Sequence, residues 1–217
     1  MCANFQPAPP SAFRLHFEAP EPSFEYHEAY PGSAVPIILR STADADERCI
    51  EKAVFGLIPA WAKDRKIARH TFNARSETVA SKPSYRRSWS HRQFCLVPVQ
   101  AFYEPCYEGG GKPVRWSIHR TDGLPFALAA IWERWKPESG EHVLSCSLLT
   151  VNADASPLMR RFHDPDDEKR SVVAVRSDQY DDWLDAEDDA AARALLWPIV
   201  GSGFAATSAP RTRVVTA

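Results

Sequence analysis

Residues 94–132 read FCLVPVQAFYEPCYEGGGKPVRWSIHRTDGLPFALAAIW. Four short runs rich in β-branched and aromatic residues lie in it: Phe94 to Val97, Val99 to Tyr103, Val114 to Ile118 and Phe126 to Trp132. Each is long enough for a strand and too short for a buried helix. The runs are parted by turn chemistry, Gly109-Gly110-Gly111 and Asp122-Gly123, which predicts neighbouring strands joined as hairpins. This stretch sets the fold class as strand-rich with a mainly antiparallel sheet.

Further apolar runs extend the pattern on both sides: Val35 to Leu39, Cys49 to Ile58 and Val143 to Val151. Near the start, Pro7, Pro9, Pro10, Pro20, Pro22, Pro31 and Pro36 predict extended, loop-like chain. Helical patterns are fewer and short, around Ser84 to Trp89, Ser156 to Arg161, Ser177 to Leu184 and Glu187 to Leu196. Ser177 reads as an N-cap, with Asp178, Asp181 and Asp182 at the positive end of its helix. The expected architecture is α+β, a single domain whose mainly antiparallel sheet curls toward a barrel and carries short flanking helices.

At 217 residues, with 44% hydrophobic and 25% charged side chains, the chain can bury a full core and lacks the composition of a disordered protein. No apolar run approaches 18 residues, and residues 1–20 lack a basic start followed by an apolar stretch, so neither membrane span nor signal peptide is expected. Five scattered cysteines (Cys2, Cys49, Cys95, Cys106, Cys146) without a CxxC pair argue against a disulfide framework or zinc site and for the reducing cytoplasm.

The net charge of −2 conceals a strong segregation. Between Lys63 and Arg92 nine Lys/Arg face two acids, a local balance of +7, whereas Asp164 to Asp189 carries three bases against eleven acids, or −8. Trp61, Phe72, Tyr85 and Trp89 are interleaved with the basic residues. Cations for phosphates and rings for bases are the mixture of a single-strand groove, and a solvated basic face is the plain alternative.

Four polar features stand apart from a core. Cys2 follows the initiator methionine, whose removal leaves a thiol and an α-amine on adjacent carbons, able to capture an aldehyde as a Schiff base and close a thiazolidine ring; without a role it is merely the second residue of a frayed terminus. Asn73-Ala74-Arg75-Ser76-Glu77-Thr78 gathers groups that are costly to bury unless paired, in an exposed loop or helix start if they have no role. Glu104 closes the aromatic strand Ala101-Phe102-Tyr103, either as a proton shuttle with raised pKa or as a strand end in water. His163 follows Met159-Arg160-Arg161-Phe162 at a break before Asp164-Pro165, where an imidazole is either presented to a cleft or structural.

In this order, Met1-Cys2, Asn73 to Thr78, Phe94-Cys95-Leu96-Val97-Pro98, Phe102-Tyr103-Glu104 and Phe162-His163 resemble the SRAP (SOS-response-associated peptidase) family, which shields abasic sites in DNA by covalent crosslinking. Phe55 to Trp61, Phe126 to Trp132 and Ser147 to Thr150 support the likeness, which runs from residue 1 to about 185. The resemblance implies that Cys2 is the crosslinking nucleophile, Asn73 bonds the reacting centre, Glu104 manages the α-amine proton and His163 assists opening of the deoxyribose ring. It places Arg75 on a phosphate beside the lesion and Trp61 against the base stack. Lys82, Arg86 and Arg87 of the basic stretch, with Asn4, are the further candidate DNA-binding positions. Family members commonly open Met-Cys-Gly-Arg, and Ala3-Asn4 here removes a glycine and a cation. Pro105 stands where a tryptophan often follows the glutamate, Ala101 replaces a usual glycine, and Asp164-Pro165-Asp166-Asp167-Glu168 replaces a short Arg-Met-Pro form.

The implied protein is one SRAP-like domain over residues 1–217, probing abasic sites in single-stranded DNA as a cytoplasmic monomer that becomes nucleoid-associated when bound to DNA. It needs neither metal nor organic cofactor, since the aldehyde supplies the electrophile. A cysteine peptidase or amidohydrolase of the N-terminal nucleophile type and a non-covalent single-strand binding module are the rival readings.

Overall fold

The computed structural model describes residues 2–44, 46–107, 112–138, 140–164 and 166–211. In chain order the elements are β1 (Phe5–Pro7), α1 (Ala12–Phe17), β2 (Ala34–Arg40), β3 (Arg48–Phe55), β4 (Asn73–Arg75), α2 (Arg86–Ser90), β5 (Phe94–Cys106), β6 (Val114–Arg120), β7 (Phe126–Trp135), β8 (Val143–Asn152), β9 (Arg170–Val172), β10 (Ala174–Val175), α3 (Tyr180–Leu184), α4 (Asp189–Ala194) and β11 (Phe204–Ser208). Among the described residues, all eleven strands belong to one mixed sheet, consistent with an α+β fold. Most pairings are antiparallel, but β8 runs parallel to both β3 and β4. No described helix is long and apolar enough to cross a membrane.

The two runs expected from Phe94 to Tyr103 form one continuous strand, β5, and its length organises the sheet. Its first half, Phe94 to Val99, pairs with β7, and its second half, Phe102 to Cys106, pairs with β6. The Asp122-Gly123 turn therefore joins β6 to β7 without making them a hairpin, because each takes a different half of the same partner. The Gly109-Gly110-Gly111 turn lies outside the described residues. Pro98 is tolerated inside β5 because it falls where the neighbour changes from β2 (Ile38 opposite Leu96) to β1 (Pro7 opposite Val99), a place where a missing N–H breaks no ladder. The pairings β5–β7–β8–β3–β2–β5 form a circuit, so the sheet is ring-like without being a clear barrel.

Both faces of the central strands are covered, which explains why their sequences read as unbroken apolar runs. Cys95, Val97, Val99, Leu128, Ala130, Cys146 and Leu148 point into one core with Phe5, Phe55 and Phe102. Their neighbours Phe94, Leu96, Ala129, Ile131 and Leu149 point into a second core under Phe13, Phe17, Tyr180 and Trp183. Trp183 fixes α3 to the sheet through an Nε1–H bond to the carbonyl of Cys95 at 2.9 Å.

Several expectations change on the structure. The proline-rich start is not extended throughout: the carbonyls of Pro9 and Pro10 accept the N–H groups of Ala12 and Phe13, starting α1, which buries Ala12, Phe13 and Phe17. The Ser156 to Arg161 pattern yields only a 3-10 turn, Met159–Arg161. Arg176, not Ser177, is the N-cap of the turn before α3, and no side chain caps it. The strand expected from Cys49 to Ile58 stops at Phe55, since Gly56 takes φ +114° and a Cβ there would sit 2.0 Å from the carbonyl oxygen of Ala68. Asn73 to Arg75 is a strand, not a loop or helix start. Five acids of the acidic stretch are engaged by arginines: Asp181 takes Arg40 and Arg48, Asp185 takes Arg40, Glu168 takes Arg75 and Arg170, Asp178 takes Arg176 and Asp189 takes Arg193.

Candidate functional site

The amino-terminal segment lies along β5, with Phe5 opposite Phe102 and the N–H of Tyr103 donating to the carbonyl of Asn4 at 2.9 Å. That pairing draws Cys2 into the interior, where it is 1% exposed and packs within the first core. Its Sγ donates to the carbonyl of Asn4 at 3.4 Å. Burial, aided by the negative charge of Glu104, pushes the thiol well above its ordinary range. Cys2 is therefore a neutral thiol whose proton needs an acceptor before sulfur can attack.

Asn73 reaches the same place from β4, held in register by the parallel pairing of Asn73 with Leu148. Its Nδ2 donates to the Cys2 carbonyl at 2.8 Å, and its own carbonyl accepts the Tyr85 hydroxyl at 3.0 Å. A donor is required against the Cys2 carbonyl, so the remaining amide atom is Oδ1. That oxygen is buried with no hydrogen-bond partner among the described residues.

Glu104 sits in β5 opposite Trp116 and is 2% exposed. Burial pushes its carboxyl up to about 7. His163 arrives from the segment after the Met159–Arg161 turn, which is docked on the end of β5 by the Cys106–Phe162 bridge and by the His163 N–H bond to the Pro105 carbonyl at 3.0 Å. The backbone there is left-handed, φ +68°, an uncommon state for a non-glycine residue and one that often marks a functional position. Nε2 lies 3.0 Å from the Arg170 carbonyl and Nδ1 lies 3.5 Å from Glu104 Oε2. Burial lowers the imidazole to about 4. The structure thus brings Cys2, Asn73, Glu104 and His163 to one buried locus, with Asn73 touching Cys2 and His163 beside Glu104. Among the described residues no three His, Cys, Asp or Glu side chains are grouped to hold a metal ion.

The expected DNA-contacting residues divide into two sets. Trp61 is 59% exposed and its Nε1–H donates to the Pro83 carbonyl at 3.2 Å, tying its loop to the segment carrying Lys82. Lys82 and Arg86 are exposed and have no ion pair among the described residues. Arg75 is exposed and bound to Glu168 at 2.8 Å. Arg87 instead reaches the buried carboxylate of Glu133 at 2.6 Å, pinning α2 to β7. Asn4 is turned inward, its Nδ2 donating to the Ala29 carbonyl at 3.0 Å and its Oδ1 accepting from Arg115 Nε and Nη2 at 3.0 and 2.8 Å.

Arg115 is the residue that sequence reasoning missed. It comes from β6 and brings a guanidinium beside the amino-terminal segment. It is also held by Glu28 at 2.5 Å and lies 3.4 Å over the Tyr103 ring. Its one sequence signal is a cation between Val114 and Trp116 in an otherwise apolar run, and nothing local connects it with Asn4.

Known proteins resemble this chain in sequence and in fold. The abasic site processing protein YoqW of Bacillus subtilis is 30% identical over 167 residues, covering 77% of this chain and 71% of its own length. The abasic site processing protein HMCES of Gallus gallus is 29% identical over 149 residues, 57% of this chain and 44% of that protein. A crystal structure of a protein from Bordetella bronchiseptica superposes with a TM-score of 0.87 at 31% identity, over 97% of this chain and all of the other. The sequence profile of the SOS response associated peptidase (SRAP) family matches residues 1–212, and the chain belongs to that family.

Proposed function

We propose that the protein processes abasic sites by capturing their aldehyde at Cys2 as a thiazolidine, on single-stranded DNA. The observation that carries this reading is the buried cluster in which the Asn73 amide holds the Cys2 carbonyl and His163 faces a Glu104 carboxyl raised to about 7. The relatives' names as abasic site processing proteins support the substrate class.

After removal of Met1 the α-amine nitrogen adds to the aldehyde carbon, and the carbonyl oxygen, once protonated, leaves as water to give the imine. The Cys2 sulfur then bonds to the imine carbon while its proton passes to the ring nitrogen. One water is released in total, and nothing is oxidised or reduced. A carboxyl near 7 both gives and takes protons at neutral pH, so Glu104 can protonate the departing oxygen and relieve the thiol. His163, neutral at that pH, keeps its Nε2 proton on the Arg170 carbonyl and offers the Nδ1 lone pair to the Glu104 proton. Asn73 Oδ1 supplies an acceptor for a sugar hydroxyl. A hydrolase would need donors for an oxyanion, and the Asn73 Nδ2 is already committed to the Cys2 carbonyl.

Intact mass after incubation with an abasic single-stranded oligonucleotide tests the proposal. The expected product is the methionine-free chain plus the oligonucleotide minus one water, stable to denaturation. Equal, equally stable product from Cys2→Ala, or from protein retaining Met1, overturns it.

A further inference from the structure

Of the two charged residues in the segment Asn73 to Thr78, Arg75 is the one expected on a phosphate, and Glu77 has no part in the chemistry above. Glu77 lies in the turn that follows β4, and its carboxylate accepts from both terminal nitrogens of Arg170, Nη1 to Oε1 and Nη2 to Oε2, each at 2.9 Å. The carbonyl of that same Arg170 lies 3.0 Å from Nε2 of His163. We infer that Glu77 is a positioning residue for His163: by clamping Arg170 it fixes the carbonyl that sets the tautomer of the ring and aims Nδ1 at Glu104. The inference rests on the proposed aldehyde capture and adds to it a residue that acts on the reaction without touching it.

Arg170 opens β9, a strand of three residues paired with β8. So short a strand has little stability of its own and depends on what its side chains grip. The Arg170 side chain is 3% exposed, and its grip is specific. Besides Glu77, Nη1 donates to Glu168 at 2.8 Å, and Nη2 donates to the Thr150 carbonyl at 2.7 Å and the Thr150 hydroxyl at 3.2 Å. A buried guanidinium needs such partners to remain charged, and a two-pronged carboxylate fixes its direction as well. Glu168 also serves Arg75, so the two-pronged contact given to Arg170 is the one from Glu77. The Thr150 carbonyl accepts the Ser76 N–H at 2.9 Å too, which anchors the turn carrying Glu77 and the start of β9 on one atom. β4, which holds Asn73 against Cys2, and the residue that orients His163 thus form one unit. With its Nε2 hydrogen fixed on a carbonyl, the neutral imidazole keeps its lone pair on Nδ1, facing Glu104.

Glu77→Gln tests this, because it keeps the shape of the side chain but sets an NH2 donor against a guanidinium donor. The side chain is half exposed, so the variant should fold, which thermal unfolding checks. Long-range 1H–15N correlation spectra of histidine-labelled protein at neutral pH, with His163→Ala to assign the signal, should show wild-type His163 as the Nε2–H tautomer and Glu77→Gln as a mixture of both. Single-turnover crosslinking should fall about tenfold in Glu77→Gln, with affinity for a borohydride-reduced abasic strand unchanged. In a His163→Ala background the same substitution should alter the rate by less than about twofold, since its effect runs through the ring. An Nδ1–H tautomer in the wild type, a tautomer or rate untouched by Glu77→Gln, a full further rate loss in the His163→Ala background, or a matching loss of affinity overturns the inference. Failure of the wild-type protein to crosslink a reactive abasic strand would instead overturn the proposed function and leave the tautomer result standing.

Discussion

His163 Nδ1 stands 3.5 Å from Glu104 Oε2 while the opposite ring nitrogen, Nε2, lies 3.0 Å from the carbonyl of Arg170. A carbonyl accepts only, so Nε2 carries the hydrogen and Nδ1 presents its lone pair to the carboxyl. When the pair holds one proton, it resides on Glu104 and not on the imidazole. This division agrees with burial acting in opposite senses on an acid and a base, raising one to about 7 and lowering the other to about 4.

Glu104→Gln and His163→Ala should therefore slow crosslinking without weakening the grip on DNA. General acid or base groups supply about 10² to 10⁴ in rate. Single-turnover crosslinking should fall by that order for Glu104→Gln, with affinity for a reduced abasic strand unchanged. The His163→Ala defect should narrow at mildly acidic pH, where solvent protons assist ring opening. Matching losses of rate and affinity would mark both side chains as structural.

Stability should respond to the same carboxyl. In the unfolded chain Glu104 releases its proton near its ordinary 4.5 but in the folded protein it holds it to about 7. The stabilisation is complete below 4.5 and lost as pH rises through 7. Glu104→Gln lacks this titration, so wild type should lose about 3 kcal/mol relative to the variant between pH 4.5 and 7.5, read from urea unfolding at the two pH values. His163 acts the other way, its depressed value destabilising the fold as pH falls from 6.5 toward 4, so both proteins are compared in a His163→Ala background.

Removing the Asn73 side chain should cost both order and rate. Asn73→Ala leaves the Cys2 carbonyl without its donor, a loss of about 1–3 kcal/mol in a buried setting. Thermal unfolding should shift down accordingly, and crosslinking should slow more than binding weakens. Tyr85→Phe, which frees the Asn73 main-chain carbonyl and leaves its side-chain amide in place, should show the smaller effect on rate.

The arginines of the basic stretch should separate experimentally. Arg87→Ala strands the buried Glu133 carboxylate and should destabilise the fold by about 1–3 kcal/mol. Adding Glu133→Gln should restore much of that loss. Arg86→Ala, on an exposed cation with no ion pair among the described residues, should leave the melting temperature alone and reduce the salt slope of single-strand binding by about 0.7. Arg87→Ala with normal stability and weakened binding would reverse this assignment.

How far the sequence disclosed these arrangements depended on how local each cause was. β5, β7 and β8 were legible because both their faces are buried, which leaves long apolar runs. β1, β4, β9, β10 and β11 were not, since segments of two to five residues with mixed polarity become strands only when a partner is already in place. Cys2, Asn73, Glu104 and His163 stood out by chemical type and by the family order of their motifs, yet their contacts join residues far apart in the chain. Arg115 shows the limit: it is bonded to Asn4 across 111 positions, and neither residue carries a local sign of the other. The basic stretch was visible as charge, but only the fold distinguishes Arg86, which faces water, from Arg87, which neutralises a buried acid.

Cys2 is part of the core, packed with residues such as Phe5 and Phe102, rather than carried on a free tail. Under the proposed function, DNA joined to it would be moored to the inside of the domain, with the anchoring peptide laid along β5. A protease would then have to gain access to backbone sequestered in that sheet. The lifetime of such a shield would be governed by how slowly the domain opens, so kinetic resistance to unfolding would measure how long the damaged position stays hidden.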